Sequence, residues 1–170
     1  IITLHPWLSY QNLIDGPSRS FAYPGEIIEN FSLGRASTET LIPKSTSCVK
    51  ALSKSMPNIE KKFISMSVRV PTQIVSAAIL NFKLNKKINK TLLNREINKF
   101  INRQSFNIIS INKDQCISKD FIANKYSCII DNRWTEVKEN SLRIFIWYDN
   151  EYGYSSRVLD LLENLKNEKI

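Results

Sequence analysis

In Phe63-Ile64-Ser65-Met66-Ser67-Val68-Arg69-Val70, apolar and polar residues alternate from Ile64 to the end. A period of two puts successive side chains on opposite faces of a β-strand. Ile64, Met66, Val68 and Val70 are therefore expected to face a core, with Ser65, Ser67 and Arg69 pointing away. Pro71 closes the run, because proline donates no ladder hydrogen bond. Further extended runs fall at 74–84, 106–111, 127–130 and 142–147. Helices are expected between them. One spans 46–56, capped by Thr46 or Ser45, with Val49, Leu52 and Met56 on a face and Pro57 as its stop. A second spans 91–103 with a stripe of Leu93, Ile97, Phe100 and Ile101. A third spans 155–167 with Val158, Leu162 and Leu165 on one face. The elements do not alternate strictly, so the class is α+β: a mixed, multi-stranded sheet with helices on one face, its other face left for a neighbour.

The 170 residues are 42% hydrophobic, enough for one globular core. No apolar run spans a bilayer and no signal-peptide pattern opens the chain, so a soluble, cytoplasmic protein is expected. The chain begins in an apolar run, Ile1-Ile2-Thr3-Leu4, which reads as a cut or as a segment continuing upstream. Cys48, Cys116 and Cys128 have no metal-ligand spacing and read as buried free thiols. His5 is the one histidine, so no His-rich metal site is expected. The net charge is +8, with lysines gathered in Lys83-Leu84-Asn85-Lys86-Lys87-Ile88-Asn89-Lys90. No aromatic residues interleave with them, so a solvated surface is expected rather than a nucleic-acid or membrane site. Gly16, Gly25, Gly34 and Gly153 make no G-x-G-x-x-G, so the chain carries no dinucleotide fingerprint.

Six segments in order resemble the catalytic domain of the glyceraldehyde-3-phosphate dehydrogenase family. They are Thr3-Leu4-His5, followed by Gln11 and Asp15-Gly16-Pro17; Ile42-Pro43-Lys44-Ser45-Thr46 with Lys50; Ser67-Val68-Arg69-Val70-Pro71-Thr72 with Val75-Ser76; Ile117-Ser118-Lys119-Asp120-Phe121; Ser127-Cys128-Ile129-Ile130-Asp131; and Trp147-Tyr148-Asp149-Asn150-Glu151-Tyr152-Gly153-Tyr154-Ser155 with Arg157. The last is the most specific.

The resemblance implies an oxidoreductase of glycolytic type. An upstream cysteine attacks an aldehyde, NAD or NADP takes up the hydride, and inorganic phosphate cleaves the thioester. It places His5 as the catalytic base, a role suited to an imidazole. It places Thr46 and Arg69 at the substrate phosphate, where guanidinium binds bidentately. It places Asn150 and Tyr154 at the nicotinamide. Residues 1–154, including a long loop at 18–34, would be the catalytic domain. The helix at 155–170 would pack on an NAD-binding domain that this sequence does not contain. That domain would hold most of the cofactor and the nucleophile, so the isolated chain is expected to be inactive. A sugar-phosphate aldehyde, inorganic phosphate and like subunits, in a homotetramer or homodimer, are the implied partners.

The family pattern is broken in places. Two threonines expected after His5 are Leu8 and Tyr10, and the glycine after Ser-Thr is Ser47. Two alternatives therefore stand beside the main reading: an erythrose-4-phosphate dehydrogenase-like enzyme, and a degenerate paralogue acting as an assembly module.

Overall fold

The computed structural model describes residues 1–18, 27 and 30–167. It divides into two compact units, residues 1–73 and 74–170.

In the first unit, β1 (Ile2–Pro6) runs parallel to β3 (Met66–Val70), and β2 (Ile42–Lys44) pairs antiparallel with β3. The order is β2-β3-β1. The helix α1 (Cys48–Ser53) is shorter than expected and is capped in position by Ser47, without a side-chain bond. Thr46 instead offers its hydroxyl oxygen to the Cys48 N–H at 3.3 Å. Most of the long loop at 18–34 lies outside the described residues. Its flanks are tied together. Asn12 donates to the carbonyls of Pro17 and Gly34, and the Gly16 N–H bonds the Gly34 carbonyl at 2.9 Å.

The pleat of β3 is as the alternation predicts, but its sides are reversed. Ser67 is buried at 2% exposure, whereas Ile64 is 91% exposed and Met66 is 40% exposed. Alternation reports that a strand has two unlike faces, and not which face its own chain covers. The covered face carries Ser67 beside Thr3, and on the apolar face Met66 is exposed while Val68 and Val70 are half-buried.

The second unit holds β4 (Ser76–Lys83), α2 (Lys90–Ile101), β5 (Ile109–Asn112), β6 (Cys128–Asp131), β7 (Glu136–Lys138), β8 (Ser141–Tyr148) and α3 (Asn150–Asn167). The strand order is β4-β8-β6-β5, with β7 on β8. β5 and β6 are parallel; the other pairs are antiparallel. The class is α+β with a mixed sheet. The short strands β2 and β7 carry too few residues to show a period, and the sequence did not reveal them. Cys116 sits in the loop after β5. All three cysteines are half-buried and free.

The core of this unit packs Val75, Phe121 and Ile129 with Trp147. Phe121 stacks on Trp147 at 5.6 Å, and Phe145 meets the same indole edge-on at 4.8 Å. Behind it, Asp131 is fully buried and accepts from Arg133 and from the Trp147 indole N–H. Burial pushes the Asp131 carboxyl up. The hydrogen bonds from Arg133 and Trp147 outweigh that and hold it below the usual carboxylate range.

The helix α3 begins at Asn150 and not at 155, so the segment 150–153 is its first turn rather than a tight loop. Asp149 sets the start. Its Oδ1 accepts from the N–H groups of Glu151 and Tyr152, and its Oδ2 accepts from the Ala123 N–H at 2.9 Å. Carboxylate capping satisfies donors that helix geometry leaves free. The lysine run is anchored at its end, where Lys90 donates to the Asn132 carbonyl at 2.7 Å; Lys87 meets Glu139 at the surface.

Candidate functional site

The first unit brings His5, Arg69 and Lys44 together. His5 at the end of β1 lies directly opposite Arg69 on β3, and Arg69 lies opposite Ile42 on β2. Lys44 sits two residues on from Ile42, opposite Ser67. Registered partners share a face, and so do residues two apart on one strand. His5, Arg69 and Lys44 therefore stand on the same side of the three strands. Arg69, expected to point away from the core, is half-buried, and its Nη1 donates to the Pro6 carbonyl at 2.9 Å. That bond holds the guanidinium along the end of β1.

The electrostatics follow from this geometry. Burial, then the charge of Arg69, then that of Lys44, bring the His5 pKa down from 6.5 to about 4. The imidazole is neutral at physiological pH and can accept a proton. Thr46 lies two residues beyond Lys44, at the entry to α1. That helix has six residues, so a strong helix-dipole contribution at Thr46 does not apply. What Thr46 offers is a hydroxyl. Leu8 and Tyr10 occupy the turn after β1, closed by Leu8 and Gln11 bonding each other.

The second unit carries Asn150 and Tyr154. A spacing of four residues puts both on one side of α3. Asn150 Nδ2 donates to Ser76 Oγ at 3.1 Å, and Ser76 is 1% exposed. Val75, just before it, has φ of 70°, a left-handed conformation that costs a β-branched residue roughly 1–3 kcal/mol. The buried serine is thus presented to Asn150 by a strained turn. Tyr154 is 72% exposed. A fixed amide and an open aromatic ring on the same helical turn suit a flat carboxamide-bearing ring. Gly153, between them, is buried against the backbone of Tyr126 and Ser127.

Ser76, Lys44 and Asp149 are the contributors that sequence reasoning passed over. Asp149 lies in the closing segment, but its place directly before a helix depends on a helix start at Asn150 that the sequence did not show. Ser76 and Lys44 depend on pairing between distant segments.

Comparison with known proteins shows the family. The model of the glyceraldehyde 3-phosphate dehydrogenase C-terminal domain matches residues 1–150. The chain belongs to that family. It is 33% identical over 161 residues to the testis-specific glyceraldehyde-3-phosphate dehydrogenase of Mus musculus, covering 94% of this chain and 34% of that protein. It is 31% identical to glyceraldehyde-3-phosphate dehydrogenase 3 of Saccharomyces cerevisiae, covering 96% and 47%. It is 35% identical to glyceraldehyde-3-phosphate dehydrogenase B of Aspergillus oryzae, covering 93% and 45%. The chain thus spans less than half the length of these glyceraldehyde-3-phosphate dehydrogenases. Among the described residues no helix is long and apolar enough to cross a membrane, and no cluster of acids, histidine and cysteines could hold a metal.

Proposed function

We propose that this chain is the catalytic domain of an NAD- or NADP-dependent, phosphorylating aldehyde-phosphate dehydrogenase. The observation that carries this reading is a neutral imidazole, His5, set directly opposite a half-buried guanidinium, Arg69. His5 accepts the proton of a nucleophilic thiol supplied by a preceding dinucleotide-binding domain. Arg69 and the Thr46 hydroxyl hold the phosphate of a sugar-phosphate aldehyde or inorganic phosphate. Asn150, with Tyr154 beside it, orients a nicotinamide carboxamide. The dinucleotide supplies the oxidising power when bound; these residues only place it.

Cys128 does not stand in for that thiol. Burial pushes its thiol up to about 11, so it is protonated at neutral pH. On this reading the isolated chain, without the thiol of the dinucleotide-binding domain, is inactive. The stripe on α3, with Val158, Leu162 and Leu165 at 41%, 57% and 51% exposure, packs on the dinucleotide domain. The apolar face of β3 meets like subunits in a homodimer or homotetramer. The protein works in the cytoplasm, in glycolysis.

Leu8 and Tyr10 favour a second substrate, erythrose 4-phosphate, because neither supplies the short hydroxyl of the threonine that the family pattern has at its position. The test is NADH formation by the complete polypeptide with each aldehyde and phosphate. Turnover of glyceraldehyde 3-phosphate above erythrose 4-phosphate supports the first reading, and the reverse supports the second. No reduction of NAD or NADP with either leaves a non-enzymatic assembly module.

A further inference from the structure

The strand β2 ends on a cation that the reading so far does not use. Lys44 lies opposite Ser67 in the antiparallel pair, and Arg69 is two residues along β3. Such diagonal neighbours share a face and sit roughly 7–8 Å apart at their Cα atoms. Both side chains are long enough to close on one ligand between them. Lys44 is half-buried, next to Ile42 and Ser67, each 2% exposed. Among the described residues, no ion pair joins Lys44 or Arg69 to a carboxylate. Two desolvated like charges repel and are costly without a counter-ion. Proteins keep such an arrangement where a ligand supplies the opposite charge.

We propose that Lys44 completes the anion site of Arg69 and Thr46 and makes it selective for a doubly charged phosphate group over singly charged anions. This rests on the reading of Arg69 as a phosphate contact and adds a specificity-determining residue to it. Lysine contributes a movable point charge and guanidinium a fixed fork; together they offer two positive charges to one dianion. Burial and the Arg69 charge also hold the Lys44 ammonium below its usual range, which agrees with a crowded positive site.

The test is calorimetric titration of the complete polypeptide with inorganic phosphate, with glycerol 3-phosphate and with nitrate, at fixed ionic strength. The variants are Lys44→Met, Lys44→Arg and Arg69→Gln, each with a melting curve. Loss of one charge-assisted bond predicts that Lys44→Met weakens one or both phosphate probes roughly tenfold. Nitrate binding and the melting temperature stay unchanged, and Lys44→Arg restores most of the affinity. A loss for one probe alone says whether ester or free phosphate is the ligand. Should Lys44→Met destabilise the fold, the phosphate-to-nitrate affinity ratio in Lys44→Arg and Lys44→Gln decides. If Lys44→Met binds phosphate as tightly as the parent while Arg69→Gln loses it, the anion site stands and Lys44 is not part of it. If Arg69→Gln also binds normally, the anion site itself is wrong.

Discussion

His5 and Arg69 are direct cross-strand partners of the parallel pair β1 and β3. This one register position places a base beside a cation, and the cation lowers the proton affinity of the base.

Titration of His5 by NMR is expected to give a pKa near the value of about 4 set by burial, Arg69 and Lys44. Arg69→Gln raises it. Inorganic phosphate raises it too, since a bound anion cancels the positive field, and by linkage protonated His5 binds phosphate more tightly. An imidazole that titrates near 6.5 and ignores phosphate contradicts the site.

The same group makes stability depend on pH. Its folded pKa lies below the ordinary 6.5, so on acidification the unfolded chain takes up the proton first. The His5 contribution is complete above about 6.5 and is lost as pH falls from there towards 4. Denaturant melts across this window should show a smaller acid loss in His5→Gln than in the parent.

Asp131 is the most sensitive point of the second unit. Asp131→Ala leaves the Trp147 indole N–H and the half-buried Arg133 without their acceptor. Breaking such a pair from one side costs about 3–5 kcal/mol, roughly 10 °C in a chain of this size. Calorimetry checks this, with Arg133→Met expected to cost less because part of the arginine is solvated.

Asp149→Ala removes the acceptor for Glu151, Tyr152 and Ala123. A lost cap costs about 0.5–2 kcal/mol. Faster hydrogen exchange at Glu151 and Tyr152 than in the rest of α3 would mark the effect as local.

Two glycines should respond in opposite ways. At Gly153 an added Cβ makes ordinary contacts, 3.4 Å from the Tyr126 carbonyl, and alanine favours a helix by ~1 kcal/mol. Gly153→Ala is neutral to stabilising, while Gly153→Leu is not tolerated. At Gly34 a Cβ would collide with the Gly16 carbonyl oxygen. Gly34→Ala therefore breaks the Gly16–Gly34 bond, and thermal melts of the two alanine variants should move apart.

Much of this was legible in the residues. The long runs at 74–84 and 142–147 showed β4 and β8 because each is long enough to carry a pattern. His5, Arg69 and Asn150 were found through their neighbours in sequence. The side of β3 was not legible, because Ile64 and Met66 are apolar yet uncovered within this chain. Nor was the start of α3. The stripe of Val158, Leu162 and Leu165 suggested a start at 155, and only the bonds to Asp149 show that the helix already includes Tyr152 and Gly153. Lys44 and Ser76 owe their places to strand register and to a strained Val75, neither of which is local information.

The central claim is that His5 is the base of a phosphate-dependent aldehyde oxidation. The most direct test is the rate of NADH formation by the complete polypeptide at saturating glyceraldehyde 3-phosphate and phosphate, comparing the parent with His5→Gln. A positioned general base contributes about 10²–10⁴-fold. A loss of that size at unchanged melting temperature is the predicted result, whereas parental turnover in His5→Gln would contradict the account.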